Sequence, residues 1–141
     1  MKSMKIATLV ALLASPVLAE GDAAAGESKF ERNCTTCHAV VDASGNAIIG
    51  RANVKTGPNL FGVVGRTAGT EAGFDKYGDS LVAAGAAGGV FDEAALIAYM
   101  QDPTAWLRST LSDDRARSKM SFKLRNEQDA ADIAAYLASL N

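Results

Sequence analysis

Cys34-Thr35-Thr36-Cys37-His38 gathers both cysteines and the single histidine of the 141-residue chain into five consecutive positions. Two thiols three residues apart share one helical turn, where each can add across one haem vinyl group, and the adjacent imidazole then stands beneath the iron. C-x-x-C-H is accordingly the attachment sequence of haem c. Three other readings compete. A redox dithiol of the thioredoxin kind needs a βαβ setting, and no strand is predicted ahead of Cys34. A zinc site needs a fourth ligand, and the chain has no further Cys or His. A structural disulfide remains compatible with the residues alone.

Outward from the motif, the N-terminus reads as an address. Met1–Lys5 (MKSMK) carries two lysines, Ile6–Leu18 is almost wholly apolar, and Val17-Leu18-Ala19 presents small residues where signal peptidase reads them. This is a secretory signal peptide over residues 1–19, too short in its apolar run to be a permanent membrane span. Cleavage after Ala19 leaves one domain, residues 20–141, with no room for a multidomain enzyme. Of the 14 basic residues Lys2 and Lys5 leave with the signal, so 12 face 16 acidic residues, a net charge of −4. That balance argues against a nucleic-acid binder. The expected product is a soluble, monomeric periplasmic protein without a permanent membrane anchor.

The remaining chain reads as all-α with long loops. Asp22 can cap a helix running through Ala39, so that the first helix carries both cysteines. Six glycines between Val41 and Thr70 mark a long loop system, of a length usually kept to cover or hold something. Asp79–Ala87 reads as a short helix ended by Gly88-Gly89. Asp92 caps another, Pro103 suits the first turn of a further one, and Asn126 starts a last helix with Ala130, Ile133, Ala134, Leu137 and Leu140 on one stripe. No convincing strand is visible. Although 48% of residues are apolar, 27 are alanine and only nine aromatic. A buried haem would supply the core that the side chains lack.

With one histidine present, His38 is the candidate for the proximal iron position. The distal position, open to Met, Lys, Tyr, water or nothing, separates an electron carrier from a ligand-binding or peroxidatic haem. Met100 lies inside the Asp92 helix beside Leu96, where methionine commonly fills a core. Met120 sits in a loop, Lys119-Met120-Ser121-Phe122, from which a backbone can aim its sulfur at iron, and is the favoured ligand. Around it Arg115, Arg117, Lys119, Lys123 and Arg125 put five cations into eleven residues. Such a run steers an acidic partner to the haem edge, and Lys29, Arg32 and Lys55 could extend the same face. The alternatives are an ordinary solvated loop and, for function, a haem protein with an open or labile distal site or a colourless dithiol protein.

Taken together, C-T-T-C-H, the run Lys55–Thr70 (KTGPNLFGVVGRTAGT), Gln101–Thr104 (QDPT) and Lys119–Leu124 (KMSFKL) resemble the class I c-type cytochromes, in particular the cytochromes c2 of purple photosynthetic bacteria. The likeness runs over essentially all of residues 20–141. It implies crossed N- and C-terminal helices, with Gly26 and Phe30 meeting Ile133 and Tyr136, and shorter helices and long loops around a covalently bound haem. It implies that the Pro58 carbonyl accepts from the His38 ring N–H, that Tyr99 lies near the axial sulfur of Met120, and that Asn59, Leu60 and Phe122 line or shield the haem. Arg66 and Tyr77 match positions that support a haem propionate. Phe91 departs from the pattern, because many relatives place there a tryptophan whose N–H bonds a propionate, and Trp106 stands where another aromatic ring is usual. Val41–Asn53 and Leu111–Ser118 look like insertions. The implied partners are a cytochrome bc complex as electron donor and a photosynthetic reaction centre or terminal oxidase as acceptor.

Overall fold

Four helices start where an Asp or Asn side chain accepts backbone N–H groups that the helix itself cannot pair. In the computed structural model, which describes residues 20–141, Asp22 caps α1 (Ala23–Cys34) through Ala24 and Ala25, and Asp92 caps α3 (Glu93–Gln101) through Ala95. Asp102 caps α4 (Pro103–Leu111) with Pro103 in its first turn, and Asn126 caps α5 (Glu127–Ala138) through Asp129. The fifth, α2 (Asp79–Ala86), has Gly78 at its start. The expected signal peptide, residues 1–19, lies outside the described residues.

Two expectations need correction. The first helix stops at Cys34, five residues short of Ala39, so only one cysteine is helical. The Cys37 and Ala39 carbonyls are taken instead by the N–H groups of Gly57 (2.7 Å) and Leu60 (3.0 Å), which pull the chain off the helix axis. Strands also exist, as two small antiparallel ribbons. β1 (Val40–Val41) pairs with β2 (Ala47–Ile49) through a register irregularity, and β3 (Arg66–Thr67) pairs with β4 (Val90–Phe91). Pieces of two or three residues are too short for alternation to betray them. In the first ribbon's turn the Asp42 carboxylate holds the N–H groups of Ser44 and Asn46, each at 2.9 Å.

The crossing of α1 and α5 is the largest helix contact. Gly26 makes it possible, since a Cβ there would collide with the Asp132 carbonyl and lie 2.8 Å from Tyr136 Cβ. Phe30, fully buried, packs its ring 5.9 Å from that of Tyr136, whose buried hydroxyl has no hydrogen-bond partner. Lys29 reaches across to Asp129 (2.8 Å) and to buried Asp132. Asp132 also accepts the Asp22 N–H (2.8 Å) and Gln128 Nε2 (2.8 Å). These donors, the Asp22 N–H first and Lys29 next, pull the Asp132 carboxyl down to about 2. Much of the remaining core is alanine, with Ala84, Ala130 and Ala134 fully buried. No helix among the described residues is long and apolar enough to cross a membrane.

Candidate functional site

After α1 the chain closes a tight turn, in which the Cys34 carbonyl accepts from Cys37 N–H (3.1 Å) and His38 N–H (2.8 Å). Both thiols are free, Cys34 packed against the core and Cys37 exposed. Burial, and after it the neighbouring Cys37, pushes the Cys34 thiol up to about 12. A thiol held protonated in this way lacks the activated thiolate of a redox dithiol.

His38 is fixed by the loop that follows. Its Nδ1 lies 2.9 Å from the Pro58 carbonyl. A carbonyl can only accept, so Nδ1 carries the proton and Nε2 keeps the free lone pair. Burial lowers the imidazole pKa despite the opposing pull of Pro58, which keeps the ring neutral at pH 7. Asn59 braces the loop, its Oδ1 accepting from Val41 N–H (2.9 Å) and Phe61 N–H (3.1 Å) and its Nδ2 donating to the Val41 carbonyl (2.8 Å). The half-buried Arg66 guanidinium donates to the carbonyls of Asn59 (2.9 Å) and Phe61. Tyr77 Oη accepts the Glu71 N–H (3.2 Å).

Met120 lies in the irregular stretch between α4 and α5, half-buried against the core. Ser118 fastens it, since Ser118 Oγ accepts the Met120 N–H (3.1 Å) and lies 3.2 Å from Tyr99 Oη, while Ser118 N–H donates to Thr104 Oγ1 (3.3 Å). Burial raises the Tyr99 pKa, against the opposing pull of Ser118. Met100 is buried within α3. Phe122 is 43% exposed, so its ring is accessible beside Met120 rather than part of the protein core. Phe91 stacks on Trp106 (centroids 5.2 Å apart, 27° between planes) and meets Tyr99 edge-on at 5.2 Å. At this departure from the family pattern the structure thus has an aromatic cluster without an N–H donor from Phe91.

The basic residues separate into two sets. Lys123 pairs with Asp102 (2.7 Å) and Arg115 with Asp113 (3.4 Å). Arg117 donates to the carbonyls of Asp114 (3.1 Å) and Ala116 (2.9 Å), and Lys119 to those of Lys76 (3.0 Å) and Tyr77 (3.2 Å), so neither is held in a salt bridge among the described residues. Arg125 and Lys55 have no carboxylate partner among the described residues. Lys29 does not extend this face, because its ammonium is committed to the α1–α5 crossing. Lys76, absent from the sequence-based set, does extend it, with Nζ 3.5 Å from the Lys55 carbonyl and its own carbonyl bound by Lys119. Only the fold could have found it, since it lies 43 positions from Lys119. Ser118 was missed for a different reason, as a serine two residues before a methionine has no sequence signature.

Two unbridged thiols in one turn, a neutral imidazole with Nε2 available and a core-packed thioether on the loop between α4 and α5 are donor types that fit a covalently attached haem. Comparison with known proteins agrees. The sequence model of the cytochrome c family matches residues 23–141. The chain is 52% identical over 133 residues to a cytochrome c2 of Cereibacter sphaeroides, covering 94% of this chain and 90% of that one. It is 47% identical to a cytochrome c-550 of Paracoccus versutus, covering 98% and 88% respectively. Among solved structures, a cytochrome c2 from Rhodobacter sphaeroides superposes with a TM-score of 0.82 at 52% identity, over 86% of this chain and 97% of the other.

Proposed function

This chain belongs to the cytochrome c family, and we propose that within it the protein is a periplasmic one-electron shuttle whose haem iron is held between His38 and Met120. That it carries one covalently bound haem c and transfers electrons rather than catalysing a reaction follows from its relatives. Cys34 and Cys37 form the two thioethers. When bound, the haem supplies a ferric/ferrous couple. His38 donates through Nε2, and its Nδ1–H bond to the Pro58 carbonyl orients the ring and makes it a stronger donor. Met120 offers a soft thioether, which favours the ferrous state and raises the reduction potential. With both positions filled no substrate site is open, and the alternative of a ligand-binding or peroxidatic haem recedes. Tyr99 and Phe122 border the sulfur side, and Arg66 and Tyr77 support a propionate.

The observation that carries this reading is the 2.9 Å approach of His38 Nδ1 to the Pro58 carbonyl, which leaves Nε2 as the lone-pair donor beside two free thiols. Lys55, Arg117, Lys119 and Arg125, joined by Lys76 and by the partly neutralised Arg115 and Lys123, form the docking face. Its partners are a cytochrome bc complex as donor and a photosynthetic reaction centre or terminal oxidase as acceptor. Export by residues 1–19 would leave a protein beginning at Glu20, which intact-mass measurement of the secreted form tests. For the ligands, the test is the absorption spectrum of the reduced and oxidised protein, including the weak far-red sulfur-to-iron band. That band is expected in the native protein and absent in Met120→Ala. A native protein without it has an open or differently filled distal site.

A further inference from the structure

Gly57 faces His38 more closely than any side chain would allow. A Cβ built on it would stand nearest to Cε1 of the imidazole, with Nδ1 at 2.6 Å and Nε2 at 2.8 Å. An approach from beyond the Cε1–H edge would leave both nitrogens much farther off than Cε1. The near-equal distances therefore put that Cβ position over the face of the ring, so the Gly57 main chain comes up to the imidazole from its face. The backbone here is anchored from its own side, because Gly57 N–H donates to the Cys37 carbonyl at 2.7 Å and the next residue, Pro58, supplies the carbonyl that accepts from Nδ1. One short segment thus limits the imidazole twice, in its plane through Pro58 and normal to its plane through Gly57.

We infer that Gly57 is a positioning residue for the iron ligand: its missing side chain lets the main chain approach the face of the His38 imidazole and limits the rotation of that ring. The inference rests on His38 being the axial ligand. With the haem bound, the ring plane would set the overlap between the imidazole π system and the iron, so a limited rotation would be read in the rhombic splitting of the ferric protein. A methyl group at Gly57 cannot push back the anchored main chain, so it turns the ring. Turning the ring also bends the Nδ1–H bond to Pro58 and weakens the imidazole as a donor.

The test uses the ferric holoprotein. In the native form the His38 Hε1 proton should be hyperfine-shifted and should cross-relax with the Gly57 α-protons. In Gly57→Ala the EPR g values and the spread of the haem-methyl shifts should change and the reduction potential should rise, with the far-red band retained. Gly73→Ala, whose Cβ would meet only the end of the flexible Glu71 side chain at 3.3 Å, should leave all of these unchanged. Unaltered g values and methyl shifts in Gly57→Ala would overturn the inference. If that variant does not fold, the native cross-relaxation decides, and its absence is equally fatal. A His38 ring without hyperfine shift refutes the ligand assignment itself, and this inference with it.

Discussion

The His38 side of the molecule is fastened mainly by main chain, whereas the Met120 side is fastened mainly by side chains. Around His38 the partners are the Pro58 carbonyl, the Gly57 backbone and the Cys37 carbonyl, with the side chains of Asn59 and Arg66 bracing the loop beyond them. Around Met120 they are the hydroxyls of Ser118, Thr104 and Tyr99 and the ammonium of Lys119. Truncating a side chain removes no main-chain partner, while it removes a side-chain tie outright. The distal side should therefore be the one whose iron bond yields first, and the proximal side the one whose disturbance costs global stability.

Asn59→Ala gives the largest expected effect. It leaves the Val41 N–H, the Val41 carbonyl and the Phe61 N–H without their partner. The expected cost is about 2–3 kcal/mol in denaturant unfolding of the holoprotein, the sum of partly desolvated groups left unpaired. The far-red band should survive. A variant that keeps its stability but loses the band would reverse the proposed division between the two sides.

Asp132, whose partners all lie at the helix crossing rather than beside His38 or Met120, supplies an internal reference. Its folded pKa of about 2 lies below the ordinary 3.8, so the stabilisation is complete above pH 4–5 and fades as pH falls through about 2. Asp132→Asn should cost about 1–2 kcal/mol at pH 7, because it removes the charge that the Asp22 N–H, Gln128 and Lys29 face and leaves Lys29 with Asp129 alone. The difference from the native protein should shrink on acidification to pH 2, followed by circular dichroism, without any change in iron ligation at pH 7.

Ser118→Ala comes next, removing the acceptor for Met120 N–H and the partner of Tyr99 Oη. The expected loss is about 1–1.5 kcal/mol. Most of it should appear as easier displacement of the sulfur, read as a roughly five- to tenfold gain in affinity for added imidazole. Equal sensitivity of Asn59→Ala to imidazole would erase the distinction between the two sides.

Legibility in the sequence followed the same divide. Cys34, Cys37 and His38 announce themselves because covalent attachment demands contiguous residues, and the caps Asp22, Asp92 and Asn126 because capping is local. The crossing of α1 on α5 needed the family resemblance, since Gly26 alone gives no hint of the Asp132 carbonyl it touches. What stayed hidden depends on residues distant in sequence. The end of α1 at Cys34 is set by Gly57 and Leu60, the short ribbons by pairing across long loops, and the commitment of Lys29 by Asp129 and Asp132 on the far helix. A count of charges near Met120 could not distinguish Lys123, already paired with Asp102, from Lys119.

Lys119 is where the comparison turns into function, because one ammonium serves both the loop and the surface. Its Nζ ties the Met120 segment to the carbonyls of Lys76 and Tyr77, yet carbonyls do not cancel its charge, so it still contributes to the field that an acidic partner meets. Lys119→Gln should separate the two roles. At low salt, electron transfer with an acidic redox partner should slow about two- to fivefold, the worth of one exposed charge at roughly 0.5–1 kcal/mol. That deficit should disappear as added salt shortens the screening length. The loop effect should not, so a small gain in imidazole affinity should persist at high salt. A rate deficit that ignores salt would assign Lys119 to the loop alone, and a variant without any imidazole effect would assign it to docking alone.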